Sequence, residues 1–171
     1  MTFKNGSQTN NSIIANRSMY SSRNLWSGFI FGIGLAGFID ETVFHQLLRW
    51  HHFYDKSTTD IGLISDGLFH AFSWFSTIAG FFLFSDLRRR NALCITRWWG
   101  GLLLGSGGFQ LYDGTIQHKL MRLHQIRYVE NVLIYDLIWN VLAALMIIIG
   151  LSFIVLARSR RQPEKTVSDE H

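Results

Sequence analysis

The chain has 171 residues, 48% of them hydrophobic and 15% aromatic, with a single Pro, a profile that argues against a soluble enzyme and for one helical membrane domain. Its formal net charge of +4 comes from short basic clusters between long apolar runs, which membrane topology explains better than nucleic-acid binding does. The only cysteine, Cys94, excludes an intrachain disulfide framework and a thiolate metal cluster.

Residues 1–23 are polar and rich in Asn and Ser, without a signal-peptide pattern, and are expected to form a flexible tail. Four stretches then reach the about 20 apolar residues needed to cross a hydrocarbon core of ~30 Å. They are 25–48, 61–85, 98–120 and 131–157. The expected fold is an all-α integral membrane domain over 24–157, with four transmembrane helices as two hairpins, 25–85 and 98–157. A basic and then polar tail, 158–171, follows.

Lys4, Arg17, Arg23, Arg88, Arg89, Arg90, Arg97, Arg158, Arg160, Arg161 and Lys165 fall on one side of these spans. Arg49, Lys56, Lys119, Arg122 and Arg127 fall on the other, and this imbalance predicts both termini in the cytoplasm. Trp26, Trp98, Trp99 and Trp50 flank the span ends, where amphipathic rings favour the interface.

Shifted by 73 positions, the first helix matches the third. Trp26, Gly28, Gly32, Gly34, Asp40, Thr42, His45, Leu47, Arg49 and His51 fall on Trp99, Gly101, Gly105, Gly107, Asp113, Thr115, His118, Leu120, Arg122 and His124. Half of these identities are Asp, Thr, His or Arg, which apolar bias does not supply. A weaker match at 70 positions relates the second and fourth helices through Asp66 and Asp136. The pattern predicts a parallel repeat of two hairpins about a pseudo-two-fold axis along the membrane normal. Gly28 and Gly32, with Gly101 and Gly105, have the small-xxx-small spacing of closely packed membrane helices.

The polar residues inside these spans are the functional candidates, because ionisable groups in a membrane interior usually face a bundle centre or cavity. With Arg49 at the external edge, His45 lies ~6 Å and Asp40 ~13 Å deep, and His118 and Asp113 match them. An outer layer of His45, Asp66, His118 and Asp136 is expected above a deeper one of Asp40, His70, Asp113 and Asn140. On an α-helix Asp40 and His45, five residues apart, differ by about 140° and do not both face the axis. Glu41 and His45 share a face, as do Asp66 and His70.

Imidazole with carboxylate nearby suits a transition metal, Cu, Zn or Fe. His45, His70 and His118 are the expected ligands, with Asp40, Glu41, Asp66, Asp113, Asp136 and Asn140 as further ligands or orienting partners. His51, His52 and His124 fall at the external membrane edge, where they are either solvated or entry ligands. Arg49 and Arg122 are expected to snorkel to lipid phosphate, or to hold an anion above the site.

The runs GFIDETVFHQLLRWHH, DGLFH and YDGTIQHKLMRLHQIR, with Tyr-Asp-Leu on the last helix, resemble the bacterial membrane-protein family catalogued as domain of unknown function 2243. The resemblance covers roughly 25–155 and implies a small bacterial inner-membrane protein without an assigned activity. It also suggests the company of metal chaperones and of copper-handling or respiratory oxidase assembly proteins.

Four functions compete on this sequence. A metal-binding protein would hold a metal at the external face, with zinc or Cu(II) better matched than Cu(I), since only Met121 lies near that side. A b-type haem protein would use His45 and His118 as axial ligands. A metal-dependent membrane hydrolase would use Glu41 or Asp66 as general base, so enzymatic activity is left open. In the purely structural reading, the Asp and His residues glue helices together.

Overall fold

The computed structural model describes residues 4–159, with side chains from residue 16 onward except that of residue 17. The tail beyond residue 159, including Arg160, Arg161, Lys165 and His171, lies outside the described residues. Four α-helices follow one another: α1 Lys4–Asp40, α2 Thr59–Arg89, α3 Ile95–Tyr112 and α4 Val132–Ser159. Two π-helical segments interrupt the series, π1 Glu41–Leu47 running on from α1 and π2 Asp113–Met121 running on from α3.

α1 starts earlier than expected, so residues 4–23 of the anticipated flexible tail are helical. Extending a helix already nucleated by an apolar span costs far less than starting one, and this stretch contains no Pro to stop it. Asn24 anchors its inner part. This fully buried side chain donates to the carbonyls of Tyr20, at 2.7 Å, and Ala92, at 2.9 Å, and accepts from the Cys94 amide at 2.7 Å. It thereby ties α1 to the loop between α2 and α3. Arg23 adds an ion pair to Asp86 at 2.9 Å.

The helices pack in the order α2, α1, α3, α4, each against its neighbour in that row. This differs from a square bundle, in which every helix has two flanks. Ser18–Leu47, Thr59–Arg89 and Val132–Ser159 are long and apolar enough to cross a membrane. The most apolar window is 39% buried in the first, against 17% and 22% in the other two, as expected for one central and two outer helices. Leu68, Phe72, Phe75 and Phe82 on α2, with Leu133, Leu137, Ile138 and Ile148 on α4, are exposed and present an apolar surface suited to lipid. α3 with π2 is shorter and more polar and is not among the three apolar spans, yet it is the partner of α1.

Glycines let these two backbones approach. A Cβ on Gly28 would collide with the Trp98 carbonyl and one on Gly32 with that of Leu102, while Gly101 and Gly105 stand in the same relation to Leu25 and Phe29. The close approach also brings Ser106 Oγ to the Gly32 carbonyl at 3.0 Å and Trp98 Nε1 to Ser27 Oγ at 3.1 Å. Trp98 is therefore buried rather than lying at the interface, whereas Trp26 and Trp99 are exposed.

Candidate metal centre

The π-helical segments build the site. When hydrogen bonds run i→i+5 the turn is wider, so residues five apart lie much closer in angle than the about 140° expected for Asp40 and His45 on an α-helix. His118 Nε2 lies 3.1 Å from Asp113 Oδ2, and His45 Nε2 lies 3.9 Å from Asp40 Oδ2. Gln46 likewise reaches back five residues to donate to Glu41 Oε1 at 2.7 Å. An arginine with positive φ follows each segment, Arg49 (φ 50°) two residues after π1 and Arg122 (φ 51°) directly after π2. Each arginine turns the chain sharply back over the bundle.

That reversal carries His51 and His124 inward. Neither stays at a solvated edge: they are 6% and 2% exposed. His51 Nδ1 lies 3.0 Å from the Ile126 carbonyl, and His124 Nδ1 lies 2.9 Å from the Phe53 carbonyl. A carbonyl only accepts, so in each ring Nδ1 carries the proton and Nε2 keeps its lone pair. The Nε2 atoms of His51 and His45 are buried without a hydrogen bond, and those of His118 and His124 face only the Asp113 carboxylate, at 3.1 and 3.5 Å. Burial, followed by the neighbouring rings of His124, His45 and His118, pushes the His51 imidazole down to about 2. The ring is therefore neutral and available as a donor.

The four imidazoles form one cluster. The His51 ring centroid is 4.5 Å from those of His45 and His124, and the His118 centroid is 4.8 Å from that of His124. Ligand atoms of His51, His118 and His124 lie within 4.8 Å of one another, as do those of Asp40, His45 and His51. Asp113 reaches His124 Nε2 as well, at 3.5 Å. His51 thus belongs to both sets, and the arrangement offers bare imidazole nitrogens with two carboxylates beside them. That donor set suits a borderline divalent metal.

Outside this cluster the two halves differ. Asp66 accepts from His52 Nδ1 at 2.6 Å and the Phe53 amide at 2.7 Å, and its Oδ1 lies 3.1 Å from His45 Nδ1. Glu41 Oε2 lies 2.9 Å from the same nitrogen. Asp136 is instead paired with the Lys119 ammonium, and His118 Nδ1 is 3.8 Å away from it.

Of the expected ligands, His45 and His118 come together and His70 does not. His70 is exposed on α2, its ring 5.3 Å from that of Phe38, while Phe69 takes the inward position. An outer helix with one packed flank turns only one narrow stripe inward, and Asp66 and Phe69 occupy it. Asn140 also stays out of the cluster and donates to the Asp136 carbonyl at 2.8 Å. Arg49 and Arg122 are exposed. His52 is half-buried as a partner of Asp66. The central placement of His51 and His124 was not anticipated, although Asp-x4-His-x5-His recurs at 40, 45, 51 and 113, 118, 124. Lys119 and Gln46 were missed for lack of any local signal.

A cavity of about 520 Å³ reaches the cluster from the loop end, lined by His45, Gln46, Arg49, His51, His52 and Asp55 among others. It gives a small hydrated ion a polar route to His45 and His51.

The model of a family described as a predicted membrane protein (DUF2243) matches residues 27–158, which include all of these side chains. No curated protein and no solved structure matches the chain.

Proposed function

The chain belongs to the DUF2243 family of predicted membrane proteins, and from that premise we propose that it holds a transition metal near the external membrane face. His45, His51, His118 and His124 supply the imidazoles, and Asp40 and Asp113 the carboxylates. The observation that carries this reading is the reciprocal suspension of His51 and His124 from backbone carbonyls, which turns their Nε2 atoms into the cluster beside Asp113. Burying several unsatisfied polar atoms together is costly in a protein interior, and a metal ion satisfies them. Nδ1 donation to a carbonyl is also the usual means of fixing a ligating imidazole.

Zinc or Cu(II) suits the mixed nitrogen and oxygen donors better than Cu(I), because Met121 is exposed and Cys94 lies on the loop between α2 and α3. The site is a product of duplication: residues 73 positions apart supply its paired ligands, its glycine contacts and its left-handed arginines. Both termini lie in the cytoplasm by the distribution of Lys and Arg, so the cavity opens outward, and holding or handing over metal at the outer face is the role. The cluster disfavours haem, because the rings of His51 and His124 stand only 4.5 to 6.2 Å from those of His45 and His118.

The test is the metal content of protein purified in detergent without chelator, for wild type, His45→Ala and His118→Ala. Near-stoichiometric metal, lost in both variants, is expected. Folded wild type that stays free of metal after each ion is supplied would overturn the proposal and leave the histidines as helix glue.

A further inference from the structure

The ring of His45 has buried donors on both sides, and only one side belongs to the cluster described above. Its Nε2 faces Asp40 and His51. Its Nδ1 faces Glu41 Oε2 at 2.9 Å and Asp66 Oδ1 at 3.1 Å. Ligand atoms of Glu41, His45 and Asp66 lie within 4.8 Å of one another, and all three residues are buried.

We propose that this second side is a further divalent-cation seat, so that His45 bridges two metals: one in the central cluster, the other held by Nδ1, Glu41 and Asp66. The proposal rests on the central metal reading and extends it to a two-metal site.

The bland alternative is that Glu41 and Asp66 only orient His45. One N–H, however, donates along one direction, and two carboxylates compete for it. Asp66 also accepts from His52 and the Phe53 amide, whereas Glu41, fully buried, accepts from Gln46 on Oε1 and has only the shared His45 Nδ1, at 2.9 Å, beside Oε2. Two buried carboxylates sharing one imidazole N–H are costly to keep ionised together unless a cation accompanies them.

The other half of the molecule shows what a cation does at the equivalent place. Gly114 stands where the first half has Glu41, and the Lys119 ammonium sits on Asp136, where the first half has the neutral Gln46. The second half therefore carries one acid fewer and its own cation. Among the described residues, Asp40, Glu41, Asp66, Asp113 and Asp136 are the buried carboxylates, and Lys119 is the ammonium paired within this group.

Two oxygens and one nitrogen suit a borderline divalent ion such as zinc or Cu(II), and the external cavity touches His45 directly. Metal at both nitrogens displaces the ring proton, which leaves as a solvated proton, and the bridge is an imidazolate.

The experiment loads the full chain in detergent with Cu(II), counts metal per chain and records the electron paramagnetic resonance spectrum. Wild type should take up about two ions per chain, with the signal weakened by coupling through the shared ring. Glu41→Gln should drop to about one, with an uncoupled signal of full intensity. Wild type that saturates at a single uncoupled ion would overturn the second seat while leaving the central metal in place. Uptake of no metal would overturn both. Should Glu41→Gln fail to fold, the wild-type count and coupling still decide.

Discussion

His51 and His124 stack with ring centroids 4.5 Å apart and planes inclined by 6°, and each is tethered by Nδ1 to a carbonyl two residues beyond the other. The tether fixes tautomer and direction together, and neither ring can rotate without losing its hydrogen bond. Such mutual fixing matters for a metal, because ligands that are already placed lose little freedom on binding.

His51→Ala and His124→Ala should therefore each lower metal affinity by at least about tenfold. His70→Ala should leave metal content at the wild-type value, because its ring packs outward against Phe38. Metal analysis of the purified variants checks both. Loss of metal in His70→Ala with retention in His51→Ala would reverse the assignment.

The helices and many of the polar positions could be read from sequence because apolar length, and ionisable residues inside apolar runs, are local signals. Asp40, His45, Asp113 and His118 stood out as costly groups inside apolar runs. The π-helical turns could not be read, since nothing in ETVFHQL distinguishes i→i+5 from i→i+4 bonding before the tertiary contacts are known. The wrong helical period made His45 and Asp40 look mutually exclusive. A reversal at a non-glycine left-handed residue is equally hidden, so the sequence alone places His51 and His124 at the membrane edge. Depth alone brings His70 and Asn140 inward, because rise along a helix does not say which of its faces meets a neighbour.

The α1 and α3 contact makes a sharp stability prediction. Gly32→Val or Gly105→Val would drive a side chain into the facing backbone at Leu102 or Phe29, which no rotamer change relieves. Each should cost roughly 2–4 kcal/mol, or prevent folding. Gly108→Ala is the control: a Cβ there meets nothing within 4 Å, and alanine favours the helix by about 1 kcal/mol. Thermal melts in detergent separate the two classes. Equal melting temperatures would show that the glycines do not set the interhelix distance.

Asn24→Ala removes three hydrogen bonds at a fully buried position and strands the Ala92 carbonyl and the Cys94 amide. The expected loss is roughly 2–4 kcal/mol. Because the site lies at the opposite end of α1, metal binding per folded chain should be unchanged. A stability loss within experimental error would show that water replaces the amide at no cost.

Lys119→Gln tests why the two halves differ. The ammonium is half exposed and the Asp136 carboxylate is 7% exposed, so the pair is neither a surface bridge nor a fully buried one. Removing the cation leaves a buried carboxylate with His118 Nδ1 at 3.8 Å and the glutamine amide as its remaining partners. Solvent screening on the lysine side reduces the penalty from that of a fully buried pair to roughly 1–3 kcal/mol. The substitution also places at 119 the residue that the first half carries at 46, making the local charge of the two halves more alike. Added zinc should therefore restore more melting temperature to Lys119→Gln than it adds to wild type, since the vacated position on Asp136 becomes open to a cation. If zinc raises both by the same amount, the lysine is a simple structural partner and does not stand in for a metal.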